Sequence, residues 1–219
     1  MTNLILSFLE ELEKNNTREW FHANKGWYEE AKTEMEAFVN ALIPAIAKFD
    51  PGIKLVTAKD CMFRIFRDVR FSKDKSPYKI NFGAWITRNG RKSCGPGYYI
   101  HFQPQESFLS AGVYMPDPNT LKKIRQEIYF NIREVKSILE NKELKRYVKS
   151  LDEMDKLKLP PKDFPTDFPD IELLKNKHFT ISSVITVKKI MEPSFPDYVL
   201  KVFQAMSPFN AFLGRAILE

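Results

Sequence analysis

Between residues 53 and 114 apolar and polar residues alternate with period two, in runs too closely spaced to be joined by helical crossovers. No other feature constrains the fold as much. Successive side chains of a strand point to opposite faces, so each run presents an apolar face that must be buried against something else. The runs fall at 53–58, 62–68, 78–88, 98–103 and 108–114. Asn89-Gly90, Gly95-Pro96-Gly97 and Pro104 separate the later ones. Glycine supplies positive φ at little cost, so these breaks read as hairpin turns and the block as an antiparallel meander. A β-branched run at 179–187 adds one more strand, which predicts a sheet of about five to six strands.

On both sides of this block the period changes to that of a helix. Leu4, Ile5, Phe8, Leu9 and Leu12 share one face of a first helix, which Asn15-Asn16 ends. Thr17 is placed to cap a short second helix carrying Trp20 and Phe21. A longer one follows from about Lys25, with Tyr28, Ala31, Met35, Phe38, Val39 and Leu42 on its stripe and Pro44 to kink or end it. After Pro118 apolar stripes return at Leu121, Ile124, Ile128 and Ile132, at Val135, Ile138 and Leu139, and at Leu144, Tyr147, Val148 and Leu151. Four prolines make 159–170 a loop, and Tyr198, Val199, Val202, Phe203 and Met206 mark a last helix. Helices, then strands, then helices predict an α+β fold whose N-terminal and C-terminal helices cover the sheet. The expected organisation is a single domain over 1–219, helical in 1–50, a β-meander in 53–115, and helical with one further strand in 118–219.

Several function classes drop out. Two cysteines make neither a disulfide framework nor a four-cysteine metal site, and no His, Cys and carboxylate cluster has ligand spacing, so no metal is expected. Neither of the glycine-rich phosphate cradles is present, and no cofactor is expected. No apolar run reaches about 18 residues, which speaks against a membrane partner. The first residues lack the basic stretch of a secretion signal, so the cytoplasm is the expected location.

The net charge is +6, and it is concentrated. Residues 64–79 hold Arg64, Arg67, Arg70, Lys73, Lys75 and Lys79 against Asp68 and Asp74, a net of +4 in sixteen residues. On a strand, Arg64, Phe66, Asp68 and Arg70 would face one way and Phe63, Ile65 and Arg67 the other. Guanidinium groups between apolar neighbours are costly unless paired, so Arg64 must meet a carboxylate or open onto a site for an anion. The first reading is therefore a pocket for a small anionic ligand, phosphorylated or carboxylated, lined by these six cations. If it is catalytic, His101, Asp68 and Tyr78 are the side chains suited to proton transfer; His101 shares its strand face with Tyr99 and Gln103. Two alternatives use the same residues. One is a nucleic-acid-binding module, because Phe66, Phe71, Tyr78 and Trp85 accompany the cations. The other is a protein-interaction domain in which the alternating signs form a structural ion-pair network.

The stretch Arg64-x-Phe-Arg67-Asp68-x-Arg70-Phe71-Ser72-Lys73-Asp74-Lys75-x-Pro77-Tyr78-Lys79 resembles the signature of the domain of unknown function 2461 family. Asn15-Asn16-Thr-Arg18-Glu19-Trp20-Phe21, Gly97-Tyr98-Tyr99-Ile-His101, and Leu159-Pro-Pro161-Lys162-Asp-Phe164 with Phe168-Pro169 are similar to further segments of that family. Asp163 stands where similar chains often carry glycine. The resemblance spans nearly the whole chain. It implies one α+β domain and carries no established activity or catalytic residues.

Overall fold

The computed structural model describes residues 3–218. Three helices open the chain: α1 (Leu4–Lys14), α2 (Arg18–Ala23) and α3 (Lys25–Ile46), with a one-turn α4 (Ala58–Cys61) behind them. Strands β1 (Phe82–Ile86), β2 (Gly97–Phe102) and β3 (Phe108–Val113) follow. Helices α5 (Pro118–Phe130), α6 (Ile132–Leu139), α7 (Lys142–Lys145) and α8 (Ile171–Leu174) lead to β4 (Phe179–Val184), α9 (Val187–Ile190) and the long α10 (Phe195–Leu218). Among the described residues no helix is long and apolar enough to cross a membrane.

The caps explain several of these boundaries. Thr17 Oγ1 accepts from the Trp20 backbone N–H, 3.2 Å away, and starts α2. Asp117 accepts from the N–H groups of Asn119 and Thr120 just ahead of Pro118, which needs no hydrogen-bond partner at the first helical position. Pro44 lies in the last turn of α3, which runs two residues past it.

The sheet is an antiparallel meander in the order β1-β2-β3-β4, with Tyr98 opposite Ala111 and Ala111 opposite Ile181. One face carries Phe82, Ala84, Ile86, Tyr98, Ile100, Phe102, Leu109, Ala111, Val113, Phe179 and Ile181, all buried. It packs under α3 and α10. Phe38 and Phe195 stack at 5.8 Å and both reach Phe102, while Phe203 meets Tyr98 at 5.1 Å. One hydrophobic cluster runs from Ile5 to Leu213. By alternation the opposite face carries Gly83, Trp85, Tyr99, His101, Phe108, Ser110, Thr180, Ser182 and Val184.

The sheet has four strands, fewer than the five to six expected from the sequence. Residues 53–58 form no strand. Pro51 opens a 3-10 turn, and a reciprocal capping box between Thr57 and Asp60 starts α4, so local capping prevails over the β-branched side chains of Ile53, Val56 and Thr57. Residues 62–68 form no strand and pair only through isolated bridges, Met62 to Ala84 of β1 and Phe66 to Tyr78 ahead of it. Four residues on one side are matched by six on the other, so the register slips by two and no continuous ladder can form. Pro77, with no N–H to give, closes the segment. The run at 78–88 is correspondingly reduced to β1. Of the predicted stripe from Leu144 to Leu151, only the single turn of α7 is helical.

Gly112 has φ of +130°, and a side chain there would run into the carbonyl of Phe179 on β4. Gly112→Ala is expected to destabilise the protein by about 3 kcal/mol or more, through strain and forced separation of β3 from β4. Urea unfolding followed by circular dichroism measures this; an unchanged midpoint would contradict the assigned strand pairing.

Candidate anion site beside the uncovered sheet face

Tyr78 anchors the basic segment. Its ring is 4% exposed and stacks on Phe21 at 4.0 Å. Asn16 grips its backbone from both sides: the amide nitrogen donates to Tyr78 O at 3.0 Å and the amide oxygen accepts from Tyr78 N at 3.2 Å. Lys79 N then donates to Ile65 O and Arg67 N to Pro77 O, which ties the two halves of the segment together.

Two of the three arginines are bound to the segment's own acids. Arg67 pairs with Asp74 and reaches Ser72 Oγ at 3.3 Å. Arg70 clasps Asp68 through Nε at 2.9 Å and Nη2 at 2.6 Å. Asp74 also accepts from the Ser76 hydroxyl and N–H, and these bonds, followed by Arg67, hold its carboxyl well below the usual carboxylate range. Arg70 lowers Asp68 in the same way. Lys75 Nζ donates to Val69 O at 3.0 Å. Exposed pairs of this kind contribute little stability one by one, so together they mainly fix the shape of the loop.

Arg64 and Lys73 make no hydrogen bond or ion pair with any described residue, and both are exposed. Lys79 is half-buried, with Nζ 5.5 Å from the centre of the Phe63 ring. Burial lowers its pKa, and the nearby Arg64 guanidinium lowers it further. Arg64 is thus near enough for its charge to be felt at Lys79.

From Phe63 a row of rings crosses the opposite face of the sheet. Phe63 meets Tyr99 at 6.2 Å, Tyr99 meets His101 at 5.8 Å, and His101 stacks on Phe108 at 4.7 Å. Gly83 makes this possible, since a side chain there would lie 2.6 Å from the Tyr99 hydroxyl. Gln103 gives its amide nitrogen to Glu106 at 3.0 Å, which leaves its amide oxygen facing His101 Nε2 at 3.2 Å. That ring nitrogen therefore carries the proton, and Nδ1 accepts from the Tyr99 hydroxyl at 3.0 Å, with Asn81 Nδ2 at 3.5 Å. Burial pushes Tyr99 up to about 12 and lowers His101.

The structure thus sets Lys79 beside the aromatic row within the field of Arg64, places Lys73 and Lys75 on the adjoining loop, and ties Arg67 and Arg70 to acids. Asn81 and Phe63 were not anticipated. Period-two counting back from Gly83 puts 81 and 79 on its face, but the place of Phe63 depends on the register slip. Two clefts can be outlined, one between α6, α7 and α10 beside Tyr147 and Lys201, the other at the end of α3 beside Pro44 and Lys54. Both lie away from the motif. Among the described residues no three His, Cys, Asp or Glu side chains are placed to share a metal ion.

The class defined by these features is an α+β protein with helices on one face of a four-stranded antiparallel meander and a cationic shelf beside the other. The family described as conserved hypothetical protein (DUF2461) matches residues 4–212, and the chain belongs to it. Comparison with curated proteins and with solved structures gave no match.

Because its pKa is lowered below 6.5 in the folded protein, the unfolded chain takes up the His101 proton first as pH falls. Its contribution to stability is whole above 6.5 and is lost as pH falls from there to the folded value. Unfolding midpoints measured from pH 7.5 down to about 5.5 are expected to drop more for the wild type than for His101→Gln. Equal drops would refute the buried, neutral imidazole.

Proposed function

We propose that this protein binds a small anion, phosphorylated or carboxylated, on the shelf where Arg64 and Lys79 meet. One observation carries the reading: Arg64 makes no hydrogen bond or salt bridge with a described residue, the carboxylate whose field it shares, Asp68, is already clasped by Arg70, and Lys79 is disfavoured in its charged form by burial and by the Arg64 guanidinium. An anion between them would relieve both. Lys73 and Lys75 add positive potential at the rim. Arg67 and Arg70 contribute by holding the loop through Asp74 and Asp68.

The proposal is of binding. Both ring nitrogens of His101 are engaged, Asp68 is held by Arg70, and Tyr78 is buried in the anchor. The reading also takes residues 1–219 as one working unit, supported by the continuous hydrophobic cluster, and places it in the cytoplasm.

Pyrophosphate, phosphate and succinate are suitable probes for calorimetric titration. Arg64→Ala is expected to weaken the binding of at least one of them about tenfold or more, a loss of about 1.4 kcal/mol. Its melting temperature should stay close to that of the wild type, because the exposed side chain makes no hydrogen bond or ion pair with a described residue. The bound anion should raise the pKa of Lys79, read from its side-chain NMR signals. Undiminished affinity in Arg64→Ala, or no binding by the wild type, would sink the reading.

A further inference from the structure

Phenylalanine is normally a core residue, and the chain has 18. Among the described residues the exposed ones are Phe63, Phe66, Phe71 and Phe130, and the first three fall within nine positions of one another. Phe71 is 96% exposed, Phe66 48% and Phe63 37%. Each has an arginine next to it in sequence: Arg64, Arg67 and Arg70. Fold stability gains little from a fully exposed ring, so burial does not explain Phe71.

The loop that carries it is nonetheless tied on both sides. The pairs Arg67–Asp74 and Arg70–Asp68, the Lys75 bond to Val69 O, the Ser76 bonds to Asp74 and a 3.4 Å bond from Ser72 N to Val69 O hold the loop around it. The Arg70 guanidinium lies over the Phe71 ring, 5.9 Å from its centre, leaving the other face open. A loop ordered in advance loses little conformational freedom on binding. We infer that this loop docks single-stranded nucleic acid, with a base stacked on the open face of Phe71 and the phosphates of the strand lying along Arg64, Lys73, Lys75 and Lys79.

Sequence-tolerant strand binding is built from stacking rings set among cations. A duplex keeps its bases stacked inside and has none to offer Phe71. A bilayer surface calls for a broad apolar face, whereas here one ring is fully exposed and two are partly covered. The inference shares its cations with the proposed anion shelf, but it stands on the phenylalanines, which that reading does not use.

The test is fluorescence anisotropy with a labelled thymidine oligonucleotide of about a dozen nucleotides, spanning one binding site of this kind. The wild type is expected to bind at low salt, with log K falling against log salt at a slope of about −3 for four phosphate contacts. Phe71→Ala should lose about tenfold or more in affinity with the same slope and an unchanged melting temperature, and Phe71→Trp should restore binding. Pyrophosphate titration of Phe71→Ala should match the wild type, so the shelf can stand if the strand does not bind, and the reverse. No binding by the wild type, equal binding by Phe71→Ala, or equal binding of duplex and single strand overturns the inference. So does sedimentation of the wild type, but not of Phe71→Ala, with phosphatidylserine vesicles.

Discussion

The two-way amide clamp of Asn16 on Tyr78 ties the helical start of the chain to the basic segment 62 residues later. A backbone N–H and C=O at the same residue need one acceptor and one donor, and asparagine offers both within a single side chain. With the Tyr78 ring stacked on Phe21, the second half of the segment is held to α2 while the first half follows β1. Those two attachments are two residues out of register. The backbone between them cannot pair continuously, and Arg64 lies inside the slipped interval. A regular strand would have offered Arg64 an ordered cross-strand partner; the slip leaves it without one.

What remains of the charge is then decided by the acids. Asp68 and Asp74 are placed where they neutralise Arg70 and Arg67, and they also accept backbone and hydroxyl hydrogen bonds. The segment's positive excess is thereby assigned to particular side chains, Arg64, Lys73, Lys75 and Lys79. The pairs are too exposed to stabilise the protein much. Their effect is conformational: they close a loop that has no hydrophobic interior of its own and keep its outer ring facing solvent.

Much of the fold was legible in the sequence because β1, β2 and β3 are short β-rich runs bounded by Gly and Pro turns, although β1 and most of β3 are buried on both faces. The same pattern at 53–58 and 62–68 misled for two different reasons. At 53–58 a proline turn and a capping box act over four residues and need no partner, whereas a strand needs one. At 62–68 the alternation is real in part, since Ile65 is buried and Arg64 and Phe66 are exposed, but a register slip is a property of two segments and leaves no mark on either alone. The site followed the same rule. His101, Tyr99 and Gln103 share a strand and could be grouped by counting. The pairing of Arg67 with Asp74 and the meeting of Arg64 with Lys79 depend on how the loop closes, and alternating signs admit both a paired and an unpaired outcome.

The hydrogen bonds across the sheet face opposite the helices α3 and α10 have a direction. Tyr99 donates to His101, His101 to Gln103, and Gln103 to Glu106, so every proton in the chain points toward one carboxylate. Bonds aligned this way polarise one another, and the terminal negative charge draws each donor further in the same sense. The effect accumulates at the head of this series of bonds as electron density on the Tyr99 oxygen. The phenol itself stays protonated, because burial holds it up at about 12.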